Sequence, residues 1–238
     1  MKDAIRQNFD SSVVSYADYE AQTGQFEALA GRLATVLEDR LETPTARLLD
    51  AGAGTGASTR RLAPLAQDVL ALDLSRGMLA ENDAPHRLQA DFDALPLGDS
   101  TLDAVVFTAS LFLSPDPDRA VTEADRVLRP GGVVAAVAPR GWYTRDGRDV
   151  FETLPRQSRS PSGADDVRRA LEAQFDLETG VWSDRISADR LRLFHSIPAV
   201  AARLYPQLPP EQRVREAQAL LSDVEGPLEQ RWEWLIGE

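Results

Sequence analysis

Apolar positions along the chain change period several times, and each change marks an element. Phe26, Leu29, Leu33, Val36 and Leu37 recur every three or four residues, predicting a helix from about Gln22 to Leu41. The stretch before it, IRQNFDSSVVSYADYE, carries Phe9, Tyr16 and Tyr19. It reads either as a helical arm packed on the core or as a flap that brings Tyr16 to a ligand, since a terminus stays ordered only when something ties it down. The period then shortens. Ala46 to Asp50 is a short apolar run, and Arg60, Leu62, Ala63 and Leu65 continue as a helix to about Ala66. Further strands are predicted at 69–75 (VLALDLS), at about Arg87 to Ala90, at Leu102 to Thr108 and at VVAAVA, before residue 139. Between them lie a short helix in SRGMLAEN and a helix with Ala120, Val121, Ala124, Val127 and Leu128 on one face. Asp118 is the expected N-cap of that helix, and RPGG (129–132) ends it. Five strands alternating with helices imply a parallel, doubly wound α/β sheet.

Beyond residue 138 the pattern loosens. Residues 139–166 read as a loop, with Trp142 and Tyr143 just past the fifth strand. Ala164 to Phe175 reads as a helix and LETGVWSDRIS as a sixth strand. Helical spacing returns from Ala188 to Asp223, where Pro198 and Pro210 suit first helical turns, and QRWEWLIG alternates as a closing antiparallel strand. The expected architecture is one Rossmann-like domain over 1–238, with a seven-stranded sheet parallel except for its last strand. A helical arm spans 1–44, a ligand-binding core 45–138, and a loop, helix and sixth strand 139–187. A helical lid spans 188–226 and the final strand 227–238. In the lid, Leu191, Phe194, Ile197 and Tyr205 are expected mostly to pack, because apolar helical spacing usually means core.

The chemistry concentrates in LLDAGAGTGAST (48–59), a strand, a glycine turn and a helix in sequence. Gly52, Gly54 and Gly56 permit positive φ, let a ligand lie on bare backbone and let the helix start close to the strand. Gly52-x-Gly54-x-x-Ala57 satisfies the dinucleotide fingerprint, so an NAD-dependent oxidoreductase is one reading. Asp50 argues for another. A carboxylate pointing into the cradle would repel a pyrophosphate, but would attract the ammonium and sulfonium of S-adenosylmethionine. It could also be a solvated acid that holds the turn. Asp73 lies 17 residues past Gly56, near the spacing of a ribose-binding carboxylate, and could accept from both vicinal hydroxyls; the alternative is an acid facing water. Asp91 and Phe92 follow the third strand, where an acid can accept from an adenine amino group and an aromatic can cover the ring. Met78 suits the core, or a thioether beside an adenine edge.

Composition narrows the partners. The net charge is −12, and Lys2 is the only lysine among 26 basic residues. Such acidity opposes non-specific binding to a phosphate backbone and suits either high ionic strength or a biased genome. There is no cysteine, hence no thiolate nucleophile, and two isolated histidines, His86 and His195, make no metal centre. No apolar run approaches a membrane span and no signal-peptide core is present, so the expectation is a cytoplasmic protein bound to neither membrane nor nucleic acid. Oligomeric state is not read from these patterns.

Taken in order, LLDAGAGTGAST, ALDLS..ML, DFDALPL, LDAVVF and RVLRPGG resemble the successive motifs of class I S-adenosylmethionine-dependent methyltransferases. The likeness is to the small-molecule branch (methyltransferase type 11) that contains ubiquinone-biosynthesis and malonyl-carrier-protein methyltransferases. It covers about residues 46–138 strongly and FDSSVVSYADYE more loosely. The resemblance implies that Asp50, Gly52, Ala53 and Gly54 contact the methionine part of S-adenosylmethionine and Asp73 the ribose. Leu74 and Met78 would flank the adenine, Asp91 and Phe92 would read its edge and face, and Thr108, Ala109 and Ser110 would line the methyl-donor pocket. Where many relatives have aromatic or histidine residues after the fourth strand, this chain has Leu111, Phe112 and Leu113.

The implied reaction is in-line methyl transfer, for which the protein supplies positioning and exclusion of water. A carboxylate acceptor needs no base; a hydroxyl or acidic carbon does. The candidate bases are His195, Tyr16 and Tyr143. Without cysteine, cytosine carbon-5 methylation by a thiolate is excluded, and no Asn/Asp/Ser-Pro-Pro-aromatic stretch of the amino-methylating nucleic-acid enzymes is present. The acidic charge also opposes an acidic carrier protein. What remains is a small, partly apolar metabolite, methylated on oxygen, or on carbon or nitrogen. Besides the oxidoreductase, a protein that binds the ligand and serves a partner without turnover remains an alternative.

Overall fold

The computed structural model describes residues 2–42, 44–152, 154 and 163–238. Its centre is a seven-stranded sheet: β1 (Thr45–Ala51), β2 (Ala66–Asp73), β3 (His86–Gln89), β4 (Leu102–Thr108), β5 (Leu128–Thr144), β6 (Leu177–Ser187) and β7 (Pro227–Gly237). The order is β3-β2-β1-β4-β5-β7-β6, with β7 antiparallel to both neighbours and the other pairings parallel. Strand order reverses between β1 and β4, and in open sheets of this kind the crevice above that reversal, at the carboxyl ends of the strands, is where ligands bind. β4 sits at the centre and is buried from end to end, which is why it carries an unbroken apolar run from Ala104 to Phe107 rather than an alternation. No helix among the described residues is long and apolar enough to cross a membrane.

Helices α1 (Lys2–Asp10), α2 (Val13–Thr23) and α3 (Gln25–Glu38) form the arm. The helix expected from Gln22 to Leu41 is α3, and it starts later because Gly24 takes φ +56° and closes α2, donating its N–H to the Glu20 carbonyl. The Glu20 carboxylate then accepts from the N–H groups of Phe26 and Glu27 at 2.9 and 2.8 Å, satisfying the first turn of α3. Leu29, Leu33 and Leu37 of that helix are fully buried against the sheet, each contributing about 1.5–3 kcal/mol.

Helices α4 (Ala57–Leu62), α5 (Arg76–Ala80) and α6 (Pro117–Val127) make the next crossovers. The N-cap of α6 is Asp116, not Asp118: Pro117 occupies the first turn and the Asp116 carboxylate accepts the Arg119 N–H at 3.1 Å. Asp118 pairs instead with Arg169 of α7 (Ala164–Glu172) at 2.9 Å. RPGG does not separate α6 from the strand. It forms a bulge inside β5, where the pairing jumps from Leu102↔Leu128 to Ala104↔Val133. Nor does β5 end at Ala138: it runs on to Thr144 because β7 pairs with it throughout, with a second irregularity between Pro139 and Gly141. Trp142 and Tyr143 therefore lie on a strand rather than in a loop. Of the expected loop 139–166, residues 153 and 155–162 lie outside those described.

The segment expected to form a lid contains α8 (Ala188–Phe194), α9 (Pro198–Ala201) and α10 (Pro210–Leu220), and Pro198 and Pro210 each occupy a first turn. Leu191, Ile197 and Tyr205 are buried in its packing, as expected. Phe194 is only partly buried and faces a cavity.

Candidate active site

A cleft of about 930 Å³, open solvent at its mouth included, lies above the carboxyl ends of β1, β2 and β4. The glycine turn makes its floor. Gly52 has φ +82°, and a Cβ there would stand 2.4 Å from the Ser110 Cβ, so only bare backbone fits. Ser110 is itself fixed, donating its hydroxyl to the Ala51 carbonyl at 2.5 Å. Ala109 beside it holds φ +56° without being glycine, an unusual conformation of the kind that concentrates at functional sites. Thr108 also lines this cleft, and its hydroxyl oxygen is buried without a hydrogen-bond partner.

Asp73 ends β2 and accepts from the Gly54 N–H at 2.9 Å and the Ser75 N–H at 2.8 Å. It therefore braces the turn while its remaining lone pairs stay available to a diol. Burial raises its carboxyl above the usual range, against those backbone bonds. Leu74, Met78 and Phe92 line the same cleft, and Phe92 is set edge-on against Phe107, with ring centres 5.6 Å apart. Asp91 lines it too, at 2.5 Å from the Lys2 amino group, which also lies 2.7 Å from Asp93. Burial opposes the charge on Lys2, but the two carboxylates outweigh it and leave its amino group above the usual value.

Of the residues expected around the cofactor, Gly52, Ala53, Gly54, Asp73, Leu74, Met78, Asp91, Phe92, Thr108 and Ala109 all line the cleft. Asp50 does not. It lies beneath the turn, where one carboxylate oxygen accepts from Ser58 and Thr59, each at 2.7 Å, and the other is buried without a hydrogen-bond partner. Burial raises its carboxyl to about 6, against the bonds from Thr59 and Ser58. In the unfolded chain it would ionise near 3.8, so between those pH values the fold holds a proton that the unfolded chain has released. The stability this confers is complete below pH 3.8 and lost as pH rises through 6. His195 runs the other way. Burial lowers it to about 4 from 6.5, so its contribution is present above 6.5 and lost as pH falls through 4. The wild-type profile overlays the two. Asp50→Asn isolates one: relative to wild type, the variant should gain about 2–3 kcal/mol between pH 4 and pH 8 in denaturant unfolding. A difference independent of pH would contradict the buried, proton-holding carboxyl.

The sequence pattern missed several supporting groups. Asn82 is buried and donates to the Gly54 carbonyl at 3.2 Å and to the Thr59 hydroxyl at 3.3 Å, which ties the turn to α4. Asp10 accepts from the Ser75 hydroxyl at 2.5 Å and the Gly77 N–H at 3.1 Å, which ties α1 to α5. Lys2 carried one usable signal, as the sole lysine; Asn82 and Asp10 carried none.

The three candidate bases separate. Tyr16 lines the cleft, stacked on Phe26 at 5.3 Å, and burial pushes its phenol above the usual range. The arm is thus packed, with Tyr16 in the lining of the cleft. His195 lines a second cavity of about 930 Å³, open solvent included, above β5 and β7. Its Nδ1 lies 2.9 Å from the Leu191 carbonyl, which places the proton on Nδ1 and leaves Nε2 as an acceptor. Tyr143 lines neither cavity; its hydroxyl donates to the Arg140 carbonyl at 3.1 Å, and the Arg231 guanidinium covers its ring at 4.2 Å.

A family profile described as a methyltransferase domain matches residues 49–136. A malonyl-[acyl-carrier protein] O-methyltransferase of Enterobacter lignolyticus is 34% identical over 178 residues, 70% of this chain and 71% of that one. In fold, the chain is similar to a putative methyltransferase from Bacillus halodurans, with a TM-score of 0.58 at 18% identity over 86% of this chain and 96% of that one. It is also similar to a Haemonchus contortus phosphoethanolamine N-methyltransferase in complex with S-adenosylhomocysteine, with a TM-score of 0.58 at 16% identity over 98% of this chain and 59% of that one. Against the sequence match, the dinucleotide reading and the binding-only reading both give way. A relative matched over most of both chains and a cleft in which an ordered glycine turn meets the Asp73 carboxylate lead to one conclusion: the chain belongs to the class I S-adenosylmethionine-dependent methyltransferases, as an enzyme of the small-molecule type with S-adenosylmethionine as its cofactor.

Proposed function

We propose that residues 1–238 work as one methyltransferase domain that methylates an oxygen, or a carbon or nitrogen, of a small, partly apolar metabolite. The supporting observation is the roof over the cleft. The arm makes it, with Ile5, Phe9, Tyr16 and Phe26 lining the cleft, and the arm is in turn tied to the helices after β6, Arg213 of α10 donating to Asn8 of α1 at 2.6 Å and the Ala199 N–H to the Ser12 hydroxyl at 3.0 Å. A site partly covered in this way suits a small acceptor better than a polymer.

The residues present fit the cofactor. Gly52 leaves a cradle that any Cβ would fill, and a buried hydroxyl without a partner, that of Thr108, belongs to a residue of the cleft's lining. Gly52, Ala53 and Gly54 would hold the amino-acid end, with Asp50 acting from beneath through its unpartnered oxygen. Asp73 would hold the ribose, Leu74, Met78 and Phe92 the adenine faces, and Asp91 the adenine amino group. When bound, S-adenosylmethionine supplies a methyl group on a sulfonium, transferred in a single in-line displacement. The chain's own task is then to align the acceptor and exclude water. Where the acceptor carries a hydroxyl, His195 Nε2 would take its proton, and its low basicity would limit it to an acidic hydroxyl.

The test is transfer of radiolabelled methyl from S-adenosylmethionine to pools of small acids, phenols and amines, run beside acyl carrier protein and RNA. Label in the small-molecule fraction is the expected result. Label on protein or nucleic acid alone would overturn the small-acceptor reading.

A further inference from the structure

The sole lysine of the chain stands in the lining of the cofactor cleft. Lys2 Nζ lies 2.5 Å from Oδ2 of Asp91 and 2.7 Å from Oδ2 of Asp93, and among the described residues it is the only cation paired with either carboxylate. Arg119 donates instead to the Asp93 backbone carbonyl, at 2.9 Å. Asp93 is buried, and its other carboxylate oxygen accepts the Ser114 hydroxyl at 3.0 Å. Two carboxylates two residues apart, one of them out of water, repel unless a cation stands between them. Asp91 is held at both oxygens: Oδ1 accepts the Asp93 N–H at 3.0 Å while Oδ2 meets Lys2. A carboxylate fixed in this way is preorganised, and each oxygen keeps a lone pair for a ligand.

The helix that carries Lys2 depends on the cleft as well. Lys2, Ile5 and Phe9 of α1 fall at i, i+3 and i+7 on one helix face, and all three line the cleft. No residue of α1 is fully buried. Phe9 packs in part against Tyr16, with ring centres 5.9 Å apart, whereas Ile5 joins no apolar cluster among the described residues. A helix of nine residues is marginal unless it buries an apolar face. Polar ties hold this one: Lys2 near its start, Asn8 to Arg213, and Asp10 to Ser75 and Gly77 at its end. A ligand that fills the cleft gives Ile5 the apolar partner it lacks.

We propose, resting on the cofactor reading above, that Lys2 is a positioning residue of the cofactor site. Its ammonium sets the Asp91 carboxylate for the adenine amino group and pins α1 as a wall of the adenosyl pocket, so that docking of α1 and binding of the adenosyl group stabilise each other. Such coupling is reciprocal: whatever loosens α1 weakens the cofactor by the same factor.

Hydrogen–deuterium exchange of the full chain, read by mass spectrometry on peptides covering α1, tests the coupling. S-adenosylhomocysteine at about a hundred times its dissociation constant is expected to slow the α1 amides by about tenfold or more, about a hundredfold being the limit of complete coupling. Calorimetry then reads affinity. Lys2→Met is expected to weaken S-adenosylhomocysteine and 5′-methylthioadenosine by the same factor, about tenfold, because both carry the adenosyl end. Lys2→Arg, which keeps the charge, should restore most of that loss. In an Asp91→Asn background Lys2→Met should cost less, as expected of a residue that acts through Asp91. Unchanged α1 exchange, a Lys2→Met affinity within about threefold of wild type, or losses from Lys2→Met and Asp91→Asn that simply add would each overturn the proposal and spare the cofactor reading, since wild-type binding is measured in the same series. Failure of the wild type to bind S-adenosylhomocysteine would overturn both. The exchange measurement needs only the wild type, and it decides the matter even if a variant does not fold.

Discussion

Asp73→Ala is expected to abolish the thermal stabilisation that S-adenosylhomocysteine confers. At about a hundred times its dissociation constant, a ligand adds about 2.7 kcal/mol to the stability of the state that binds it. For a chain of this length that raises the melting temperature by roughly 5–10 °C, and NAD should give no rise. The expected loss is large because Asp73 has two tasks. Its carboxylate accepts the Gly54 and Ser75 N–H groups, which holds the turn, and it would accept the ribose hydroxyls, each such bond to a charged acceptor being worth about 1.5–3 kcal/mol. Affinity should fall at least about a hundredfold. Asp73→Asn should do little better, since its amide turns a donor toward groups that themselves donate. An affinity within about threefold of wild type in Asp73→Ala would remove Asp73 from the ribose site.

That prediction could be drawn from sequence because a strand-end acid at the right spacing from a glycine turn is a local pattern. Other local patterns translate equally well. β4 and β6 span the residues expected of them, β4 around the apolar run Ala104 to Phe107. What failed was decided by partners outside the segment itself, some near in the chain and some far. The extent of β5 past Ala138 depends on pairing with β7, some ninety residues later in the chain, and no local signal in GWYT records it. Asp50 was expected to face the cleft, but Ser58 and Thr59 of α4 draw it beneath the turn. Tyr16, His195 and Tyr143 looked equivalent because each is a polar ring near an apolar segment. The fold of the arm, the helices after β6 and the extended β5 then sends them to the cofactor cleft, the second cavity and the outside of both. The split at Gly24 and the cap at Asp116 are different, for glycine and Asp-Pro signals were present in the chain and were outweighed by helical spacing on one side and a neighbouring aspartate on the other.

The glycine turn itself gives the sharpest test of how tightly the site is built. Gly52→Ala is expected to destabilise the unliganded protein by about 3 kcal/mol or more, lowering its melting temperature by roughly 6–12 °C. The left-handed backbone alone would cost an alanine about 1–2 kcal/mol. The rest is steric. A Cβ at 2.4 Å from the Ser110 Cβ and 2.9 Å from its hydroxyl oxygen forces Ser110 aside, and Ser110 cannot move without breaking its buried bond to the Ala51 carbonyl. Gly54→Ala serves as the control. Its φ is +52° and a Cβ there meets nothing within 4 Å, so only the backbone cost of about 1–2 kcal/mol applies. Adding Ser110→Gly to Gly52→Ala should recover part of the loss, because the atom that obstructs the new methyl group is gone; the two changes should therefore couple favourably in a double-mutant cycle. Equal costs at Gly52 and Gly54, or strictly additive effects of Gly52→Ala and Ser110→Gly, would mean that the contact between the turn and the end of β4 is looser than the structure has it, and that a ligand would have to create the fit which these two residues otherwise hold ready.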